Sequence, residues 1–176
     1  SASELVVWHF WCERVTEYNV SGVEIVAEDT ANAKPIVIVG ALSMHTDYDM
    51  VYSNLQQNFE GWTCLAVVWS GIVSQDINTR CKSLHAPSGA TWMWAGLIYL
   101  ASKHVSDNTP HVVLLLDDIQ INNVNISKMV QIMTEKPNMG VLSPRIVGAS
   151  WPIMYKRYTQ NVIFTDAVEV YVTMFT

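Results

Sequence analysis

Five consecutive β-branched or leucine side chains, Val112-Val-Leu-Leu-Leu116, are entered from Asn108-Thr-Pro110 and His111 and left through two adjacent carboxylates, Asp117 and Asp118. A run this short and this apolar, bounded by turn formers, predicts a strand buried on both faces, the usual condition in a parallel sheet. Such a strand needs parallel neighbours and covering helices, so it restricts the chain to a few layered architectures.

The neighbours are legible upstream. Ile36-Val-Ile-Val-Gly-Ala-Leu42 reads as a buried strand, and Ser43-Met-His-Thr-Asp47 as the turn after it. Tyr48, Val51, Tyr52, Leu55 and Phe59 then fall at helical spacing, with Thr46 or Asp47 available as the cap. Gly61 stops this helix, and Trp62 to Trp69 form the next strand, in which both tryptophans read as core. The stretch from Ser70 to Gly89 is polar, rich in turn formers, and reads as loop. A helix apolar on most of its surface is predicted from about Thr91 to His104, with Trp92 and Trp94 in the core and Lys103 and His104 at its carboxyl end.

Beyond the acidic pair, Asn125 caps a helix whose stripe is Ile126, Met129, Val130 and Met133. Gly140 to Pro144 contains a short strand, and Phe164 to Thr176 alternates enough to form a strand running antiparallel to the others. Alternating strands and helices imply right-handed crossovers and an α/β fold with a largely parallel sheet. The 176 residues suit one domain, with residues 1–33 as a peripheral N-terminal segment.

Composition narrows the function classes. Half the residues are hydrophobic and 15% are charged, a globular balance. No apolar stretch approaches the roughly 20 residues of a membrane-spanning helix. A net charge of -6 argues against nucleic acid, whose binding depends on clustered Lys and Arg. Cys12, Cys64 and Cys81 include no CxxC pair and suggest neither a zinc site nor a disulfide framework, while remaining compatible with one disulfide and a spare thiol. Two glycosylation sequons, Asn19-Val-Ser21 and Asn125-Ile-Ser127, matter only in a chain that enters the secretory pathway. The chain opens on Ser1 without a signal segment, as a processed or excised domain would.

Several chemistries lack their residues. Gly40-Ala-Leu-Ser43 is not a GxGxxG turn, there is no Walker A lysine motif, and Ser43 and Ser70 lie outside any GxSxG elbow. A receiver domain would carry its acidic pair after the first strand, where this chain has Ala41-Leu-Ser43. The five histidines form no HExxH, and His85 reads as a solvated loop residue. What remains is the acidic pair at the carboxyl end of a central strand, facing the crevice where open α/β sheets bind ligands. Two adjacent like charges call for a cation or a donor, and a divalent metal carrying a diphosphate meets that need. A turn-forming Asp pair needs neither.

At this pair the chain resembles the GT-A fold glycosyltransferases, which place an acidic DxD-like motif after a strand. Leu114-Leu-Leu-Asp-Asp-Ile-Gln-Ile121, Val141-Leu-Ser-Pro-Arg-Ile-Val147, Thr165-Asp-Ala-Val-Glu-Val170 and Met174-Phe-Thr176 look like an uncharacterised glycosyltransferase-like family of plants, protists and large viruses, over about residues 35 to 176. The resemblance implies a three-layer, Rossmann-like GT-A fold and transfer of a sugar from a nucleotide-diphosphate donor to a glycan or other hydroxyl acceptor. It implies Mn2+ or Mg2+ on Asp118, with Asp117 orienting the ribose or a metal-bound water. Gly40, Ala41, Leu42 and Ser43 would line the nucleotide pocket, and Asp166 or Glu169 would act as general base; apart from the resemblance, Trp151 in the polar stretch Gly148 to Pro152 suits stacking on sugar or base as well as it suits core packing.

Two departures accompany it. Leu116 stands where the family often has a first acidic residue, and the chain stops at Thr176, where such enzymes continue into acceptor contacts. Both features equally suit a non-catalytic module that keeps the fold, and a metal-dependent α/β phosphotransferase using the same rim is a third reading. The compartment stays open: the Golgi or another secretory lumen for an excised eukaryotic domain, the cytoplasm for a viral or soluble one.

Overall fold

Backbone pairing turns the apolar runs into one sheet. In the computed structural model the described residues are 33–85, 103–106, 108–122, 124–136, 140–144 and 172–175. Within them β1 (Ile36–Leu42), α1 (Tyr48–Asn58) and β2 (Thr63–Val68) form the first strand-helix-strand unit. A short helix α2 (Gln75–Arg80) and strand β3 (Lys82–His85) follow. Then come β4 (Val112–Leu116), α3 (Ile126–Glu135), β5 (Val141–Leu142) and β6 (Val172–Phe175).

The strand order is β3-β2-β1-β4-β6-β5. The pairs β1 with β2, β1 with β4, and β2 with β3 are parallel, whereas β6 lies antiparallel to both β4 and β5. This is the expected α/β, Rossmann-like sheet with an antiparallel strand near the C-terminus. The chain moves outward from β1 through β2 to β3, then returns to β1's other side at β4. The direction of winding therefore reverses between β1 and β4, and the carboxyl ends at such a reversal are where open α/β sheets bind ligands.

One sheet face packs Val37, Val39, Val113, Leu115 and Met174 against Val51 and Leu55 of α1 and its C-cap Phe59, Ile77 of α2, and Met129 and Met133 of α3. The opposite face buries Ile36, Ile38, Leu65, Val67 and Leu84 in a second cluster, with Val105, Val112 and Leu114 packed against it. Strand β4 departs from the expectation of burial on both faces: Val113 and Leu115 are fully buried, while Val112, Leu114 and Leu116 are half-buried. Burying a leucine or valine side chain contributes about 1.5–3 kcal/mol, so the α1 side of β4 is its stronger anchor.

Asp47 caps α1, its Oδ1 accepting from Met50 N at 3.1 Å, which leaves Thr46 for another role. The polar stretch from Ser70 to Gly89 is not all loop. Ser74 caps α2 by accepting from Ile77 N, Ile77 is fully buried, and Leu84 is the single buried residue of edge strand β3. Two elements with so few apolar anchors leave little periodic signal. Arg80 Nη2 donates to the carbonyls of Phe59 and Trp62 at 2.7 and 3.0 Å, tying α2 to the turn after α1.

That turn contains Gly61 at φ 77°, a conformation only glycine adopts without strain. Cys64 and Cys81 form a disulfide on the α1 side of the sheet. It closes the β2–α2 unit on itself and resolves the cysteine question left open by spacing. Lys103 and His104, expected at a helix end, form a turn; residues 91–102 of that helix lie outside the described residues, as do 1–32.

Candidate nucleotide and metal site at the β1–β4 crevice

The carboxyl ends of β1 and β4 lie side by side, with Gly40 in register with Leu116. Gly40, Ala41 and Leu42 are the last residues of β1, and Ser43 opens the turn beyond it. Asp117 and Asp118 form the corresponding turn after β4. Thr46 and Asp117, 71 positions apart, thus meet at one rim.

Hydrogen bonds hold that rim. Ser43 N donates to Thr46 Oγ1 at 2.8 Å, and Thr46 Oγ1 donates to Asp117 Oδ2 at 2.5 Å. His45 N donates to Ser43 Oγ, and Tyr48 Oη donates to Ser43 O at 3.1 Å. Asp117 is therefore oriented by the β1–α1 turn, not only by its own strand. From the other side Asn54, only 4% exposed, clamps the following residues: its Nδ2 donates to Ile119 O at 2.7 Å and its Oδ1 accepts from Ile121 N at 2.9 Å. A buried amide satisfied twice by backbone fixes the acid turn against α1.

The two acids differ. Asp117 is half-buried, and burial pushes its carboxyl above the usual range; the Thr46 hydrogen bond opposes that rise and the Asp118 charge adds to it. Asp118 is exposed on the turn. Burial, helped by the charge of Asp117, raises the Tyr48 hydroxyl above its ordinary value. The pair supplies hard oxygen donors, one oriented by Thr46 and one exposed, the donor class that Mg2+ and Mn2+ take. Among the described residues no three His, Cys, Asp or Glu side chains gather as a self-sufficient metal group. Any cation here would share its shell with ligand or water.

Of the residues singled out from sequence, the structure brings Gly40, Ala41, Leu42, Ser43, Asp117 and Asp118 to this rim; Trp151, Asp166 and Glu169 lie outside the described residues. Trp69, read as core, instead follows β2 at the same rim and is 36% exposed, with Met44 and Ile72 more exposed still. Its N–H and that of Ser70 both donate to Leu42 O, at 2.7 and 3.3 Å, so the turn after β2 leans on the end of β1. Gly71, at φ 84°, permits this: a Cβ there would stand 3.1 Å from Met44 N. Trp62, also read as core, is half-buried at the core's margin, where it meets Phe59 edge to face at 5.4 Å.

Thr46 and Asn54 were not apparent as site residues. Thr46 read as a capping alternative. Asn54 had one signal, a polar side chain beside Leu55 and three residues after Val51 on the helix face that is buried.

No family model matches the chain, and no characterised protein matches it in sequence. Among solved structures it is similar to CMP:2-keto-3-deoxy-manno-octonic acid synthetase complexed with CTP, at 14% identity and a TM-score of 0.44, over 62% of this chain and 51% of that one. The chain thus spans about half the length of that structure.

Proposed function

We propose that the chain is a nucleotide-sugar glycosyltransferase of the GT-A type, binding a nucleoside diphosphate sugar at the β1–β4 crevice and transferring the sugar to a glycan or other hydroxyl acceptor. The observation that supports it is the placement of Asp117 and Asp118: an acidic pair at the winding reversal of a mostly parallel sheet, with Asp117 oriented by Thr46. An antiparallel strand beside β4 is the other feature expected of that fold.

In this reading the exposed Asp118 and Asp117, held by Thr46, would together carry Mn2+ or Mg2+. When bound, the cation neutralises charge developing on the departing nucleoside diphosphate. The protein's own contribution is orientation. The Ser43–Thr46 turn fixes Asp117, Asn54 fixes the backbone just beyond Asp118, and Gly40 keeps the end of β1 free of a side chain beside the donor. Trp69 offers an aromatic face one strand along the rim, the stacking role first assigned to Trp151. Asp166 or Glu169 would accept the acceptor's proton.

Calorimetry with UDP and GDP, with and without Mn2+, tests the reading. Metal-dependent binding lost in Asp118→Asn and weakened in Asp117→Asn is expected. Metal-independent binding, or none with either nucleotide, overturns it and favours a non-catalytic module of the same fold.

A further inference from the structure

We infer that Asn125 is an N-glycan acceptor and that the chain folds in an oxidising compartment. Two independent observations carry this: an exposed sequon whose acceptor nitrogen has no partner among the described residues, and a disulfide buried in the core.

Asn125 is exposed and sits at the N-cap of α3. Its Oδ1 accepts from Lys128 N at 2.8 Å, while its Nδ2 makes no hydrogen bond among the described residues. Ile126 between acceptor and hydroxyl is buried, and Ser127 is exposed in the first helical turn. The two ends of the amide are thereby separated. The carbonyl maintains the helix, and Asn125 lines an open groove of about 410 Å³ together with Gln57, Asn58, Val124, Ile126 and Ser127.

Glycosylation would use only that nitrogen. A bond forms from Nδ2 to the anomeric carbon of a lipid-diphosphate-linked oligosaccharide, the bond from that carbon to the diphosphate oxygen breaks, and one amide proton leaves. Oδ1 keeps its bond to Lys128 N throughout, so the modified residue still caps α3. The groove admits a sugar without disturbing the packed side of the helix, where Ile126, Met129 and Met133 are buried.

The disulfide points to the same compartment by separate chemistry. Cys64 and Cys81 are 4% and 5% exposed and joined across α2, 17 residues apart. Buried, stable disulfides are rare where glutathione and thioredoxin keep thiols reduced, and common in the secretory pathway, where sequons are also modified.

Protein isolated from the cells that make it, digested without reduction and mapped by mass spectrometry before and after peptide-N-glycosidase, provides the test. A glycan on Asn125, converted to Asp by the enzyme, together with a Cys64–Cys81 cross-linked peptide is the expected result. Ser127→Ala and Asn125→Asp expressed in the same cells both retain a capping side chain at position 125, and each should lose that glycan completely while remaining folded. Asn19, the other sequon, is scored on its own peptide. An unmodified Asn125 in cross-linked protein overturns the acceptor assignment, and free Cys64 and Cys81 thiols overturn the compartment.

Discussion

The turns leaving the two central strands end at the same rim but are built differently. The turn after β1 is internally bonded: Ser43 N–H to Thr46 Oγ1, His45 N–H to Ser43 Oγ, and Asp47 Oδ1 accepting from α1's first turn. The turn after β4 is held from outside, by Thr46 on Asp117 and by Asn54 on Ile119 and Ile121. A self-bonded turn is a scaffold, whereas an externally clamped one places carboxylates in a geometry its own sequence would not maintain. The acid site depends on α1 and its leading loop as much as on the strand that carries the acids.

The contrast breaks most severely at Asn54. Asn54→Ala should cost about 3 kcal/mol, because two hydrogen bonds disappear and Ile119 O and Ile121 N lose their partner in the interior. Chemical denaturation measures the loss, and faster amide exchange at Ile121 with unchanged exchange through β1 would place it in the β4 turn. Equal loosening of both turns would contradict the distinction.

Thr46→Val removes the link between the turns while keeping the side chain's shape. It should cost about 2 kcal/mol, since two partly buried bonds are lost, the one Oγ1 accepts from Ser43 N and the one it donates to Asp117. The Thr46 bond lowers the Asp117 pKa, so this variant should titrate Asp117 at a higher pH, followed by carboxyl-carbon NMR. Asp47→Ala is the matched control inside the first turn. Loss of a cap costs about 1 kcal/mol, and the Asp117 titration should not move.

The smallest effect concerns pH. Burial raises the folded pKa of Asp117 above its unfolded value, so between those two values the folded state holds the extra proton and stability falls as pH rises. Asp117→Asn removes this slope while its amide oxygen still accepts from Thr46. The variant should therefore gain stability relative to the parent as pH rises from the ordinary Asp range toward neutrality. Thermal midpoints of the two proteins across that range give the difference; parallel curves would show that Asp117 carries no such cost. Added Mn2+ should narrow the gap if the pair binds it, since a cation favours the charged parent.

Much of the fold was legible. The runs 36–42 and 112–116 became β1 and β4 because continuous apolar sequence of that length has few other uses, and the stripes in α1 and α3 carried their own period. Elements α2 and β3 were missed because one buried residue each, Ile77 and Leu84, makes no pattern. Trp69 was misplaced because an aromatic at the end of an apolar run reads the same whether the strand stops before or after it. Of the site, the acidic pair and the end of β1 were found, each sitting where a buried strand meets polar sequence. Thr46 and Asn54 were not, since their partners lie 71 and 65 to 67 residues away.

By itself the sequence determined which segments are strands or helices and that carboxylates would stand at a strand's carboxyl end, because burial period and turn chemistry are local. Only the tertiary structure decided that β6 lies between β4 and β5, that Cys64 joins Cys81, and that Asp117 is the oriented acid and Asp118 the exposed one. Those outcomes depend on hydrogen bonds and packing between segments far apart in the chain, and no local pattern encodes which distant partner a side chain will meet.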